Sequence, residues 1–406
     1  MIKLMLMKKA FKYRIYPNKS QISALENTFS MCRHLYNWSF MERKEAWEQE
    51  QRTVTYQEQQ NALPALKEER PWFKEVYSQV LQYVLKRLDL AYEKFFREKK
   101  GSPKLRKKGQ WTSICYPQYR YSPQKGHIYV PKIGTVKIKL HRPLPQGARI
   151  KTLSIIKEGT KWFASFSVEY DVSLKPPIEL KQLANLESLK AIGLDLGLID
   201  YYYASDGTHV EVPKYFRKLE KRLRKLQRKL AKVEKYSLKF YHLLRAIQKV
   251  HYRIACQRRD FLYKLVKVLL DKYDVIVHED LNIAGMMRCP KPKGDEDGKY
   301  LPNGASAKAG LNKSIADASE FVRILQAKAL ERGKWMIAVP PHYTSQDCSQ
   351  CDTRVKKALS ERTHRCPECG FVAPRDYNSS IKILRLGLQS LGFIPLDAHT
   401  ITALAL

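Results

Sequence analysis

Two separated stretches of the chain alternate apolar and polar residues with the period of a β-strand. Residues 8–17 do so until Pro17 ends the run, and the alternation returns at 136–140 and 162–170. Successive side chains of a strand point to opposite faces, so each stretch offers one apolar face to a core. We therefore predict that 8–17 and about 118–172 form one small antiparallel β domain.

Helical spacing fills the region between these strands. Apolar residues recur every three or four positions over Ile22–Tyr36, with Asn18 or Ser20 as a candidate N-cap. The same spacing over Val80–Phe96 predicts a second helix with a buried face formed by Leu81, Val84, Leu85, Leu88 and Phe95. The helical block is therefore inserted into the β domain, and residues 175–177 (Lys-Pro-Pro) are the predicted linker out of it.

Three apolar strands are predicted in the second half of the chain, at 191–197, 275–281 and 336–339. Asp195 lies within the first strand and Glu279 near the end of the second. A third acid, Asp376, lies at or near the start of a predicted helix. Burying a lone acid is costly unless it is paired or bound to a metal. We therefore treat the three acids as candidate functional residues, although any one alone is equally compatible with a capping or surface role.

A basic helical hairpin is predicted between the first two of these strands. Residues 214–235 contain eleven basic residues in twenty-two, and leucines step by four and three residues as in a heptad seam. The partner helix is predicted over 243–270. The outward basic positions are compatible either with a solvated face or with contact to a nucleic-acid backbone.

Composition narrows the class of partner. The 406 residues include 74 lysines and arginines against 40 acidic residues, a formal net charge of +34. Such an excess repels itself and favours a polyanionic partner, here nucleic acid. No apolar run approaches the roughly 18 residues that a transmembrane helix requires. The first residues lack the apolar region of a secretory signal, so we expect a cytoplasmic protein with no membrane partner.

Four cysteines near the C-terminus have the spacing of a zinc site. They form two Cys-x-x-Cys pairs, Cys348 with Cys351 and Cys366 with Cys369. Two such pairs supply four thiolates to one tetrahedral ion, which leaves no open position for catalysis. The alternatives are disulfides or coincidence, and disulfides are disfavoured without a secretory signal. We predict one structural Zn²⁺ in a ribbon over 346–372.

The three acids suit a nuclease centre of the ribonuclease H-like kind. Mg²⁺ prefers oxygen ligands and keeps some of its water, so one or two carboxylates per ion suffice. Two such ions can activate a water and stabilise the leaving oxygen in an in-line displacement. We therefore predict that Asp195, Glu279 and Asp376 bind two Mg²⁺ ions. Glycines at 193 and 197 allow another backbone or a ligand to approach the first strand closely.

Candidate nucleic-acid contacts lie in three places. The loop at 97–108 holds seven basic residues in twelve, and the alternative to phosphate binding is a solvated linker. The amides of Gln79 and Gln82 can pair with adenine edges, although plain helix-surface polarity explains them equally simply. The full set of predicted contacts is Gln79, Gln82, Lys104, Arg106, Lys107, Lys108, Arg222 and Lys225.

Six short motifs together resemble a known family. They are Tyr13-Arg14-Ile15-Tyr16-Pro17, Gly193-Leu194-Asp195-Leu196-Gly197, Gln257-Arg258-Arg259-Asp260-Phe261, Glu279-Asp280-Leu281-Asn282, Tyr343-Thr344-Ser345-Gln346 and Arg375-Asp376-Tyr377-Asn378. In these motifs the sequence resembles, over nearly its whole length, the TnpB nucleases of bacterial and archaeal transposons, relatives of the type V CRISPR effectors.

The resemblance implies a multidomain α+β protein: a wedge-like antiparallel β barrel with an inserted helical recognition bundle, then a RuvC (ribonuclease H-like) nuclease domain carrying a zinc ribbon. The expected boundaries are 1–17 and 118–177 for the barrel, 18–117 for the bundle, 186–345 and 373–386 for the nuclease with its insertion at 214–270, 346–372 for the ribbon and 387–406 for a tail.

The resemblance further implies an RNA-guided endonuclease that cuts double-stranded DNA beside a short transposon-associated motif and aids transposon maintenance. Its expected partners are a guide RNA from the transposon end and double-stranded target DNA, with one protein monomer per guide RNA. Two alternatives stay open: a nuclease-inactive, RNA-guided repressor, and a transposase or recombinase with a ribonuclease H-like fold. Intact acids disfavour the first, and the basic hairpin disfavours the second.

Overall fold

The chain divides into two compact units. The computed structural model describes residues 4–99, 101–173, 190–197, 200–211, 213, 215–296, 300–358 and 360–391. An N-terminal unit comprises Leu4–Val172 with Lys225–Tyr252, and a C-terminal unit comprises the described residues of 173–224 and 253–406. The predicted linker at 175–177 and residues 392–406 of the predicted tail lie outside the described residues.

A six-stranded sheet forms one layer of the N-terminal unit. Its strands are β1 Leu4–Tyr16, β2 Ser113–Tyr116, β3 His127–Val130, β4 Gly134–Lys139, β5 Arg149–Glu158 and β6 Lys161–Ser173. The order across the sheet is β2-β5-β6-β1-β4-β3, and every pair with a described register is antiparallel. Where the resemblance implies a wedge-like β barrel, the described strands form a curled, half-barrel sheet with β2 and β3 at its two edges.

Helices inserted after β1 cover this sheet. They are α1 Lys19–Glu50, α2 Tyr56–Asn61, α3 Leu63–Glu69 and α4 Ser78–Glu98, with a 3₁₀ turn at Pro71–Glu75. Asn18 caps α1 because its side chain accepts from the Gln21 amide at 2.8 Å while the Gln21 side chain accepts from the Asn18 amide. The predicted apolar face of α4 is buried except at Phe95, which is 36% exposed.

The error at Phe95 has a physical cause. Phe95 lies in the last turn of α4 beside Phe96, which is 71% exposed, and Phe96 packs nearly parallel to Tyr92. The apolar periodicity that marks Leu81–Leu88 as core continues in the sequence after the helix has passed the edge of the core. Apolar residues in the last turn of the helix therefore follow the pattern without being buried.

A second sheet forms the centre of the C-terminal unit. The remaining elements, in chain order, are β7 Ala191–Asp195, β8 Asp200–Ala204, β9 His209–Glu211, α5 Tyr215–Ala231, α6 Leu238–Lys272, β10 Val275–Glu279, α7 Ile283–Met286, β11 Lys293–Gly294, β12 Tyr300–Leu301, α8 Ala305–Arg332, β13 Trp335–Val339, β14 Thr363–Arg365, β15 Val372–Pro374 and α9 Arg375–Ser390. The sheet order is β13-β10-β7-β8-β9, in which β7, β10 and β13 are parallel and the other pairs antiparallel.

Apolar residues cover both faces of the parallel strands. On one face Ile192 and Ile276 pack with α6 and α8 through residues such as Phe321. On the other face Ala191, Val275 and Val277 pack with α9 through Ile381, Ile383, Leu384 and Leu388. Burial on both faces is what makes these strands continuous apolar runs in the sequence.

The predicted close approach at Gly193 is confirmed, and the partner is α9. A Cβ atom at Gly193 would lie 2.2 Å from the Ser380 carbonyl oxygen and 2.7 Å from the Leu384 amide nitrogen. At Gly197 the corresponding neighbour is the Asp200 carbonyl oxygen, at 2.7 Å. Glycine at 193 therefore lets α9 lie directly on β7.

Residues 288–310 are rich in Gly, Pro, Lys, Asp and Asn, a composition that predicts a mobile surface loop, but the described residues of this segment include regular structure. Residues 293–294 pair with 300–301, and α8 begins at Ala305. Within the described part of the chain, no helix is long and apolar enough to cross a membrane.

Candidate active site and metal centre

Asp195 and Glu279 lie side by side at one edge of the central sheet. Each is the last residue of its strand, and the parallel register pairs His278 with Leu194 directly before them. Strand alternation places both acids on the face occupied by α9, because Ala191, Val275 and Val277 also point to that face. Two carboxylates distant in sequence are thus brought to the same sheet edge.

Asp376 joins them from α9. It lies in the first turn of that helix, where helical backbone amides favour negative charge. The Arg375 side chain lies 3.4 Å from one carboxylate oxygen of Asp376, and that of Arg362 lies 3.8 Å from the other. The Asp376 side chain is 32% exposed, so ligands in the solvent can reach it.

The charges of Glu279 and Asp376 contribute to the pKa of Asp195. Burial, together with the charges of Glu279 and Asp376, raises the pKa of Asp195 to about 7, although a hydrogen bond with Ser379 and the charge of Arg375 act to lower it. Burial also raises the pKa of Glu279, against a hydrogen bond donated by Thr344. Such a site favours a bound cation, which would offset both the burial and the repulsion.

The donor set fits Mg²⁺. All three side chains offer carboxylate oxygens, the ligands that this hard ion prefers. Among the described residues only the four cysteines bring three or more acidic, histidine or cysteine ligand atoms within 4.8 Å of one another, so the three carboxylates are more widely spaced than the sulfurs. Mg²⁺ usually keeps several waters and is bound by one or two carboxylates together with phosphate oxygens.

The four cysteines converge as the spacing predicts. Their sulfur atoms all lie within 4.8 Å of one another, with Cys348 Sγ 3.7 Å from Cys369 Sγ and Cys351 Sγ 3.4 Å from Cys366 Sγ. Four sulfurs at about 2.3 Å from one ion would be separated by nearly these distances in a tetrahedron. The cluster can therefore bind a zinc ion with four protein ligands.

Both cysteine pairs use the same local turn. The Asp352 amide donates to the Cys348 carbonyl at 3.0 Å, and the Gly370 amide donates to the Cys366 carbonyl at 3.1 Å. Asp352 and Gly370 have φ of 64° and 70°, the left-handed conformation that closes each turn. The repeated geometry aims two sulfurs from each pair at a common point.

The cysteine segment is attached to the helix that carries Asp376. Asn378 is fully buried: its side-chain oxygen accepts from the Ser349 amide at 2.9 Å, and its side-chain nitrogen donates to the Asp347 carbonyl at 2.9 Å. Asp352 pairs with Lys382 and, at 3.0 Å, with Arg385, both on α9. These contacts fix the orientation of α9 relative to the cysteine cluster.

The predicted nucleic-acid contacts differ in their exposure to solvent. Gln79 and Gln82 are half-buried in the first turns of α4, and the Gln79 amide donates to the Gln118 side chain at 3.0 Å. The basic loop is exposed and held by Asn37, which bonds both the amide and the carbonyl of Arg106, at 2.8 and 2.9 Å. The other predicted contacts, Lys104, Lys107, Lys108, Arg222 and Lys225, are also exposed.

Three residues that support the acids were not assigned roles from the sequence. Thr344 contacts Glu279, Ser379 influences Asp195, and Asn378 anchors the cysteine segment. Thr344 and Asn378 belong to the motifs that carry the family resemblance, so the motifs did signal them. Their tasks depend on tertiary contacts that no sequence spacing reveals.

Family models match three parts of the chain. Residues 319–383 match "Cas12f1-like, TNB domain", residues 165–289 match "Probable transposase", and residues 5–52 match "Helix-turn-helix domain". In the structure, residues 5–52 form β1 and the long helix α1.

Whole-length relatives and a solved structure agree with these matches. The chain is 32% identical over 384 residues to the "Putative RNA-guided DNA endonuclease InsQ" of Escherichia coli (strain K12), covering 93% of this chain and 92% of that protein. It is 31% identical to the "Putative RNA-guided DNA endonuclease" of Streptomyces pristinaespiralis, covering 94% and 90%. The fold resembles the protein in a "Cas12f1-sgRNA-target DNA complex", with a TM-score of 0.52, 12% identity and coverage of 93% and 98%.

Proposed function

The chain belongs to the TnpB family, and on that premise we propose that it is an RNA-guided DNA endonuclease. The observation that carries the proposal is the meeting of Asp195, Glu279 and Asp376 at one sheet edge, on a fold shared with a Cas12f1 protein. Relatives named as RNA-guided DNA endonucleases support the same activity.

The proposed chemistry is hydrolysis of a DNA phosphodiester in a RuvC-like site. Asp195, Glu279 and Asp376 hold two Mg²⁺ ions through their carboxylates. When bound, the ions supply Lewis acidity to the attacking water and to the leaving oxygen. The chain itself contributes the rigid spacing of the acids: two are fixed by adjacent strands, and the third is fixed by α9 on β7.

The proposed source of sequence selection is a guide RNA from the transposon end. A charge of +34 suits a protein that covers much of its surface with nucleic acid. Base pairing then selects the target, while the protein reads duplex shape and one short flanking motif. We place the motif contact at Gln79 and Gln82, the phosphate contacts at the basic loop and α5, and one protein monomer on each guide RNA.

The structural zinc has a supporting task in this proposal. With four cysteine ligands the ion has no position for water or substrate, so it fixes the ribbon rather than reacting. The ribbon in turn holds α9 through Asn378 and Asp352. In the cell we expect the protein in the prokaryotic cytoplasm, on the nucleoid when bound to DNA, where DNA cleavage would aid transposon maintenance.

The test is reconstitution with a chosen guide. The protein is purified, its bound RNA is sequenced, and the guide segment is replaced so that it matches a plasmid beside a randomised flank. Cleavage that follows the new guide and requires Mg²⁺ is the expected result, and Asp195→Ala, Glu279→Ala or Asp376→Ala should abolish it while leaving DNA binding intact. Binding without cleavage by the wild type would favour a repressor, and cleavage indifferent to the guide would favour a transposase or recombinase.

A further inference from the structure

Thr344 lies against one of the three acids. It is 3% exposed, and its hydroxyl oxygen lies 2.5 Å from Oε1 of Glu279 and 3.2 Å from the Pro341 carbonyl oxygen. A hydroxyl has one proton to donate, and the shorter contact is in the range of a charge-assisted bond to a carboxylate. The proton is therefore donated to Glu279.

The turn that presents Thr344 is strongly constrained. Tyr343 has φ of 64°, a conformation uncommon for a bulky residue and costly unless its surroundings impose it. The amides of Gln346 and Asp347 both donate to the Tyr343 carbonyl at 2.8 Å. The Arg354 guanidinium lies 3.5 Å from the centre of the Tyr343 ring and pairs with Asp347 at 2.9 Å.

This conformation separates two neighbouring side chains. The Tyr343 ring points outward and is 50% exposed, while the next residue, Thr344, is buried against Glu279. The left-handed residue therefore lies at the point where the chain turns from an exposed ring to a buried hydroxyl.

We propose that Thr344 is a positioning residue for Glu279. The Thr344 hydroxyl holds one carboxylate oxygen of Glu279 and leaves the other oxygen free to bind a divalent cation. This inference rests on the proposed function. A residue that holds a metal ligand by a hydrogen bond fixes its orientation, and removing such a partner typically costs about 10- to 100-fold in metal affinity or activity.

A matched pair of variants separates the hydroxyl from the volume of the side chain. Thr344→Val keeps the shape and removes the donor, whereas Thr344→Ser keeps the donor and removes a methyl group. Ser345→Ala removes the neighbouring hydroxyl as a control. Each variant is assayed as the complex with guide RNA for target binding, thermal stability and initial cleavage rate over a range of Mg²⁺ concentrations.

Thr344→Val should cleave about 10- to 100-fold more slowly at low Mg²⁺ and recover partly as Mg²⁺ rises, with target binding unchanged and a melting temperature lower by only a few degrees, as the loss of one buried hydrogen bond predicts. Thr344→Ser and Ser345→Ala should stay within a few-fold of wild type at every concentration. Equal rates for Thr344→Val and wild type would overturn the inference. So would a loss of cleavage matched by equal losses of binding and stability, since that marks a packing role.

The failure of this inference is distinguishable from that of the proposed function. If the wild-type complex does not cleave, or if Asp195→Ala cleaves as well as wild type, the nuclease proposal itself is wrong. If the wild type cleaves, Asp195→Ala does not, and Thr344→Val matches the wild type, only the role of Thr344 is wrong.

Discussion

Replacing Gly193 by alanine should lower both the stability of the protein and its cleavage rate, because the new side chain would clash with α9. The added Cβ would lie 2.2 Å from the Ser380 carbonyl oxygen, and 2.7 and 2.8 Å from the amide nitrogen and Cβ of Leu384. Two of these atoms belong to the backbone of α9, which cannot rotate away as a flexible side chain can. The strand β7 is equally fixed, because it lies between β10 and β8.

The size of the effect follows from the distances. Relieving the closest contact requires α9 to move from β7 by roughly 1 Å, and a displacement of that size at catalytic groups can cost about 100-fold in rate. Overpacking of a rigid core costs about 3 kcal/mol at the upper end of the usual range. For a unit of this size that corresponds to a melting temperature lower by about 6–12 °C.

The assay compares Gly193→Ala with Gly310→Ala. Gly310 lies within α8, and a Cβ atom added there would meet nothing within 4 Å, so alanine should leave stability unchanged or raise it slightly. Melting is followed by calorimetry, and cleavage is measured with guide RNA well below the melting temperature. The Gly193 variant should lose about 100-fold in cleavage rate while still folded.

Wild-type melting and cleavage in Gly193→Ala would refute the reasoning. That result would mean that α9 does not lie on β7 as closely as the structure has it. A variant that melts at a lower temperature but cleaves at the wild-type rate when folded would refute only the predicted loss of cleavage, which depends on the link between the position of α9 and that of Asp376.

Three further outcomes are expected. Metal analysis should find about one zinc per chain, and Cys348→Ser should lose it and melt earlier, because a four-cysteine site contributes directly to folding. Asp206→Asn should destabilise by about 1–3 kcal/mol at neutral pH, since hydrogen bonds from Thr208, Tyr273 and Lys272 outweigh burial and lower the pKa of Asp206. A carboxylate whose pKa is lowered in the folded state contributes its full stabilisation above the unfolded pKa of about 3.9, so the difference between the two proteins should shrink as pH falls through the lower folded-state pKa of Asp206. Replacing Gln79 and Gln82 together by alanine should change the preferred flanking motif without abolishing cleavage.

Each of these has a matched control within the chain. Cys256→Ser removes an exposed cysteine outside the cluster and should keep the zinc. Asp260→Asn removes an exposed ion pair with Lys264 and should change stability by less than about 1 kcal/mol. Gln57→Ala removes an exposed amide of α2 and should leave the motif preference unchanged. Full activity of zinc-free protein would contradict the first prediction. A loss of stability in Asp206→Asn that does not depend on pH would contradict the second. An unchanged flanking-motif preference in the Gln79 and Gln82 double variant would contradict the third.

The sequence revealed those features that depend on local spacing. The cysteine pairs, the apolar strands that carry Asp195 and Glu279, and the start of α9 near Asp376 all follow from periods of two to four residues, and the structure has each of them. The open sheet in place of a barrel did not follow, because closure depends on whether two edge strands meet. The exposure of Phe95 was missed because periodicity does not report where a core ends.

The supporting contacts of the site were beyond sequence reasoning for another reason. Thr344 and Glu279 are separated by 65 positions, and the hydrogen bond between them exists only because a left-handed residue turns the chain. Asn378 likewise looks like an ordinary helix residue until the cysteine segment is seen to lie against it. Such contacts are set by tertiary geometry, which no single-sequence period encodes.

The order of the acids along the chain has a consequence for protein synthesis. Strand β10, which ends at Glu279, is synthesised roughly 100 residues before Asp376, which at 5–20 residues per second is a delay of about 5–20 seconds, and strand β7 with Asp195 is synthesised earlier still. During that interval α9 is absent, and the face of β7 at Gly193 has nothing to cover it. On the proposed mechanism a nascent chain thus cannot cut DNA until α9 has been made. Nuclease competence appears only after the cysteine segment has emerged.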